Sequence, residues 1–229
     1  MTDRPVILLA AHGERGGAAN NARLAGIVDQ VAAAIPEADV GSILVNVEGV
    51  VERAVAACGA RPLVVLPLLL SDGFFFSQRL KPHVSGPGRT LAPPLALWRS
   101  FAPFLADNLA LRTISHAADP RVVLVAHGSK QTGRSAACAR LVAQAMQARY
   151  GRIEAAFLEE APFAGDVIAR TEQPWAAVGL FFGDGMHGGE DFDVLVSTAK
   201  HRPVAAFTVG ELPGLPGLVA AEARALLRS

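Results

Sequence analysis

One feature dominates the constraints on this chain: it says the same thing twice. Leu9-Ala10-Ala11-His12-Gly13 recurs as Leu124-Val125-Ala126-His127-Gly128, an offset of 115 residues from His12 to His127. Downstream, Leu70-Ser71-Asp72-Gly73-Phe74-Phe75 recurs as Phe182-Gly183-Asp184-Gly185-Met186-His187, an offset of 112 residues from Phe75 to His187. Solenoid repeats have periods of about 20–50 residues, so motifs repeating in the same order at this distance mean a duplicated domain. Whatever fold one half takes, the other must take too. The 229 residues suit two domains of about 110 residues each. The expected boundary lies at the turn signal Ala117-Ala118-Asp119-Pro120, giving domains 1–118 and 119–229.

Within each half, short apolar runs alternate with alanine-rich helical stretches. Pro5 to Ala11 and Arg121 to Ala126 are continuously apolar, as strands buried on both faces of a parallel sheet are. Further strands are expected at Val40 to Asn46, Leu63 to Leu69 and Thr90 to Leu97, and at Ile153 to Glu159, Trp175 to Phe182 and Pro203 to Val209. Helices are expected near 18–35, 50–58, 100–116, 134–150, 163–171 and 215–227. Another is expected after each Asp-Gly loop. The pattern predicts an α/β fold: two similar domains, each a four-stranded parallel sheet flanked by helices. His83 to Pro94 is rich in Pro and Gly and is expected to be an irregular loop over the cleft.

Lys plus Arg (21) cancels Asp plus Glu (21), so no basic field argues for nucleic acid as a partner. The longest apolar run, Leu63 to Leu70, contains Pro67 and is far too short to span a membrane. Met1 to Arg4 leads straight into a strand-like run, with no secretory signal, and Cys58 and Cys138 read as buried free thiols. The expectation is a cytoplasmic protein, monomer or homodimer.

In open parallel sheets, ligands bind beyond the carboxyl ends of the strands. Three groups of the second half fall at such ends: His127 after the first strand, Glu159 at the end of the second and His187 after the third. Two imidazoles and a carboxylate suit a borderline divalent ion such as Fe²⁺, Co²⁺ or Ni²⁺, and three protein ligands leave positions open for exchange. The same groups can accept protons at neutral pH. His127 and His187 sit among glycines, as ligand-facing loops often do, whereas His83, His116 and His201 read as ordinary polar residues.

These motifs resemble the class II tetrapyrrole chelatases, in particular the cobalt and iron sirohydrochlorin chelatases of the CbiX/SirB type. The matching residues are Val125-Ala126-His127-Gly128-Ser129, then Phe157-Leu158-Glu159, then Gly185-Met186-His187 with Asp191 four residues on. The resemblance spans the chain, since long members of that family are two such domains fused. It implies ATP-independent insertion of a divalent metal, itself a substrate, into sirohydrochlorin or a related reduced tetrapyrrole on the way to cobalamin or siroheme. No permanently bound cofactor is implied. His127, Glu159 and His187 are the implied metal ligands and catalytic groups, with His127 the preferred proton acceptor.

The macrocycle has a flat apolar core and a rim of carboxylates. His12, Phe75, Ser129, Lys130 and Arg134 are candidates for holding it, with Arg15 and Arg79 as further cations. Backbone amides after His12 and His127, taken to lie at helix N-termini, are candidate carboxylate donors. Phe75 or Phe76 is expected to supply an apolar wall, and Glu190, Asp191 and Asp193 to be first-turn helix acids or to line a path for the metal.

The sequence also departs from the pattern. In the first half Asn46 stands where Glu159 stands and Phe75 where His187 stands, and Lys130 follows His-Gly-Ser where relatives often carry Arg. Rival readings are a chelatase for another porphyrin, a non-catalytic metal or tetrapyrrole carrier, and a hydrolase using Ser129. The last lacks a Gly-x-Ser-x-Gly elbow.

Overall fold

The chain was analysed as a computed structural model, which describes residues 4–13, 21–116, 119–129, 133–183 and 189–228. It resolves into two compact units: Met1–Leu95 with Pro213–Ser229 (unit 1), and Ala96–Leu212 (unit 2).

Unit 1 holds strands β1 (Val6–Ala11), β2 (Asp39–Leu44), β3 (Leu63–Pro67) and β4 (Arg89–Leu91). They form one parallel sheet in the order β2-β1-β3-β4. Helices α1 (Ala22–Ala34) and α2 (Val50–Ala57) connect them. Every residue of β1 is buried, because a central parallel strand is covered on both faces. The core joins Val6, Leu8 and Ala10 to Ile43, Leu63, Val65 and Leu80. Cys58 is buried and donates from Sγ to the Ala54 carbonyl.

Unit 2 repeats the plan. Strands β5 (Arg121–Ala126), β6 (Ile153–Phe157), β7 (Trp175–Gly179) and β8 (Ala205–Thr208) form a parallel sheet in the order β6-β5-β7-β8. Its helices include α4 (Arg134–Met146), α5 (Ala164–Ala169) and α6 (Gly189–Ser197). Val122 to Val125 are completely buried, and each such side chain contributes about 1.5–3 kcal/mol of apolar burial. Trp175 anchors the far end of the same core and donates from Nε1 to the His201 carbonyl.

The predicted α/β architecture with two four-stranded parallel sheets is what the chain adopts. Two details differ. The stretch His83–Pro94 is not wholly irregular, since it contributes β4, hydrogen-bonded to β3. The fourth strand of the first half also stops at Leu91, because Pro93 and Pro94 lack the N–H a ladder needs; a short 3₁₀ turn, Leu95–Leu97, follows.

The repeat boundary near Ala118 is not where packing divides the chain. Helix α3 (Phe101–Thr113), at the end of the first repeat, belongs to unit 2, where it packs on α4 and β8. Tyr150 there donates to the Ala106 carbonyl and Arg112 lies 4.6 Å over the Phe207 ring. Helix α7 (Leu215–Leu227), at the end of the second repeat, belongs to unit 1 and packs on α1 and β3. Both helices carry an apolar stripe at the same spacing: Phe101, Leu105 and Leu109 in one, Leu215, Val219 and Ala223 in the other. The terminal helices are exchanged between the repeats.

Candidate metal centre

In a sheet ordered 2-1-3-4, the strand order reverses at the central pair of strands, and the crevice beyond their carboxyl ends is where ligands bind in such folds. In unit 2 that point lies beyond β5 and β7. His127 is the first residue after β5. Glu159 lies two residues beyond β6, not within the strand. Its N–H donates to the His127 carbonyl at 3.0 Å, while the Leu158 N–H donates to Ala126 at 3.1 Å, so the ladder continues past the strands and sets the two residues side by side. Both side chains are half-buried.

The His127 ring is oriented locally. Its Nδ1 is 3.1 Å from the Gly128 carbonyl oxygen. A carbonyl can only accept, so Nδ1 carries the proton and the neutral ring has its lone pair on Nε2, the form in which imidazole ligates a metal or takes a proton. Gly128 has φ +77°, turning the chain sharply after the histidine. The Ser129 N–H donates to Glu160 Oε1 at 2.7 Å.

Sequence reasoning missed Glu160. The signal was a second acid directly after Glu159, where the first repeat has Val47. The reading of the amides after the two histidines is also corrected. The Gly13 N–H is taken by Asn46 Oδ1 and the Ser129 N–H by Glu160. Both amides are thus engaged by side chains from the end of the neighbouring strand.

Of the other expected site residues, Arg134 opens α4 and is exposed. Glu190 and Asp191 sit in the first turn of α6, where acids favour the helix dipole. His187, Lys130 and Arg15 lie outside the described residues. Among the described residues, no three His, Cys, Asp or Glu side chains form a metal-binding group. The expected set is represented there by His127 and Glu159.

Unit 1 shows the corresponding positions of the first repeat. Pairing Ala11 with Leu44 and Ala126 with Phe157 makes Asn46 the register equivalent of Glu159. Likewise Ala10 with Pro67 and Val125 with Gly179 carry Leu68 onto Leu180, and the sequence repeat sets Phe75 against His187. Asn46 is used up on the loop, accepting from the Gly13 N–H at 2.8 Å and donating to the Gly13 carbonyl at 3.0 Å.

Phe75 meets His12 edge to face, with ring centroids 4.5 Å apart. Part of the His12 ring remains open to solvent, but the loss of water around the rest lowers its pKa below the usual 6.5; a backbone hydrogen bond with Gly13 opposes this only in part. His12 is therefore neutral at physiological pH.

The helix expected after the first Asp-Gly loop begins at the three phenylalanines. The chain coils through Phe75–Leu80 as a π-helical turn, entered from Gly73 and Phe74, with Ser77 N–H donating to Gly73. Successive side chains then fan around an axis, so Phe75 and Phe76 pack against the core while Phe74 stays 57% exposed. The Arg79 guanidinium lies 5.7 Å over the Phe74 ring.

No protein-family model and no curated protein matches the sequence. Solved structures do. CbiX, the terminal enzyme for biosynthesis of siroheme in denitrifying bacteria, superposes with a TM-score of 0.77 at 24% identity, over 96% of this chain and 98% of its own. SirB from Bacillus subtilis with Fe³⁺ gives 0.72 at 18% identity, over 96% and 94%. The sirohydrochlorin chelatase SirB from Bacillus subtilis subspecies spizizenii, in complex with cobalt, gives 0.70 at 16% identity, over 93% and 91%.

The chain has the sirohydrochlorin chelatase fold. Within this fold the first repeat carries Asn46 and Phe75 where the second carries Glu159 and His187. No helix among the described residues is long and apolar enough to cross a membrane.

Proposed function

We propose that the protein inserts a divalent metal ion, Co²⁺ or Fe²⁺, into sirohydrochlorin or a related reduced tetrapyrrole, without ATP, in siroheme or cobalamin biosynthesis. The observation that carries this is the pairing of His127 and Glu159 at adjacent strand ends, joined by the Glu159 N–H to His127 carbonyl bond, in a chelatase fold. His187 completes the set; its support is the repeat, in which the equivalent Phe75 packs directly on the equivalent histidine, His12.

The reaction takes M²⁺ and a macrocycle bearing two pyrrole N–H groups to the metallated macrocycle and two protons. A partly dehydrated ion and a nearby base are what it needs. The Nδ1 bond of His127 to Gly128 leaves Nε2 to face the metal or a pyrrole proton. Glu159 supplies anionic charge as ligand or second acceptor. Unit 1 serves to hold the macrocycle. Phe74, exposed and carrying Arg79 over its ring, suits a flat acid-rimmed ligand better than Phe75, which is spent on His12 and the core.

The test is to mix the protein with sirohydrochlorin and Co²⁺ or Fe²⁺ and follow the visible absorption change. The expected result is acceleration over the uncatalysed reaction, lost in His127→Ala and in His187→Ala. No acceleration refutes catalysis. Tight macrocycle binding without turnover identifies a carrier. Full activity in both variants refutes the site.

A further inference from the structure

The two repeats solve one local problem in different ways, and the difference bears on the metal centre. After its histidine each chain must turn and be pinned to the end of the neighbouring strand. In unit 1 Asn46 does this with its amide oxygen and nitrogen, on the N–H and carbonyl of Gly13. A carboxylate in that place has acceptors only and cannot give the second bond. In unit 2 the register equivalent of Asn46 is Glu159, and the pinning bond comes from the next residue. Glu160 Oε1 accepts from the Ser129 N–H at 2.7 Å. A Cβ added to Gly128 would lie 3.0 Å from Glu160 Cγ, so the side chain is laid closely along the turn.

Resting on the proposed metal site, we propose that Glu160 is a positioning residue for it. Glu160 takes over the loop-closing task that Asn46 performs in unit 1, so the position of Glu159 can carry a metal ligand. By fixing Gly128 and Ser129 it also fixes the Gly128 carbonyl that orients His127. Its action is through the hydrogen bond to Ser129, not through its charge on the metal.

Reach and charge separate in three substitutions. Glu160→Gln keeps an oxygen at the same reach and removes the charge. Glu160→Asp keeps the charge and falls one methylene short. Glu160→Ala removes both. The readout is binding of Co²⁺ alone to the full chain, followed by the visible d–d absorption of the bound ion, with thermal stability measured alongside. Loss of a partner that orients a ligand typically weakens metal binding about 10–100-fold. That loss is expected in Glu160→Ala and Glu160→Asp, with an altered d–d spectrum, while Glu160→Gln stays close to wild type.

Equal loss in Glu160→Gln and Glu160→Ala overturns the proposal in favour of a charge effect. Unchanged Co²⁺ affinity and spectrum in Glu160→Ala, whatever its melting temperature, overturns it in favour of a purely structural role. In either case the metal site itself stands. Wild-type protein that binds no Co²⁺ overturns the metal site and this proposal together.

Discussion

Alanine at position 128 tests whether packing, and not only backbone conformation, enforces the turn after His127. Gly128 has φ +77°, and an added Cβ would approach Phe157 Cβ to 3.0 Å and Glu160 Cγ to 3.0 Å. The Glu160 side chain can swing aside. Phe157 cannot: it is fully buried, its N–H donates to the Pro162 carbonyl at 2.9 Å, and Arg140 lies 5.1 Å over its ring. The left-handed backbone costs a non-glycine residue about 1 kcal/mol, and forcing an extra methyl against a fixed core neighbour costs about 2 kcal/mol more.

Gly133 is the internal control, with φ +61° and nothing among the described residues within 4 Å of an added Cβ, so its substitution is expected to carry the backbone cost. For a chain of this size each kcal/mol lowers the melting temperature by roughly 3 °C. Differential scanning calorimetry is expected to show a drop of roughly 9 °C for Gly128→Ala and roughly 3 °C for Gly133→Ala, read on the transition of unit 2. Equal drops refute the packing argument. A drop in Gly128→Ala with full chelation activity refutes the link between this turn and the placement of His127.

Two further predictions concern unit 1. Because burial lowers the His12 pKa, the unfolded chain takes up a proton near pH 6.5 that the folded ring resists; stability of unit 1 falls as pH drops through 6.5 and levels off below the folded value. Urea melts at a series of pH values are expected to show a shallower slope in His12→Asn than in wild type, and identical slopes refute the assignment. Truncation after Gly214 removes α7 and uncovers the face it shares with α1 and β3. Hydrogen exchange is expected to speed up in α1 and β3 and not in β5; protected β3 amides in the truncated chain refute the exchanged arrangement.

Much of this was legible in the sequence for a simple reason. Fully buried parallel strands are written as unbroken apolar runs, so β1, β5 and their partners stood out, and the repeat confirmed each reading once more. His127 and Glu159 were legible because strand ends converge at one rim in such sheets. Glu160 was not, because its role depends on a positive φ at Gly128 and on a side chain reaching back to a backbone amide, neither of which has a sequence period. Which of the three phenylalanines faces the core was not legible for a related reason: only the helical turn reveals that Phe75 and Phe76 reach the core and Phe74 does not. The exchanged helices were hidden because α3 and α7 carry the same apolar spacing, and a stripe of that kind does not say which of two similar sheets it covers.

The exchange gives the chain an order of completion that its numbering conceals. Unit 2 is a single continuous segment, Ala96–Leu212, whereas unit 1 is assembled from segments on either side of it. During synthesis the sheet of unit 1 is made before β5, but it lacks α7 until unit 2 has been made. The half bearing His127 and Glu159 has all its parts earlier. A cut at the repeat boundary near Ala118 therefore parts each sheet from its terminal helix, so a fragment that keeps one sheet whole must be drawn along the units and not along the repeats.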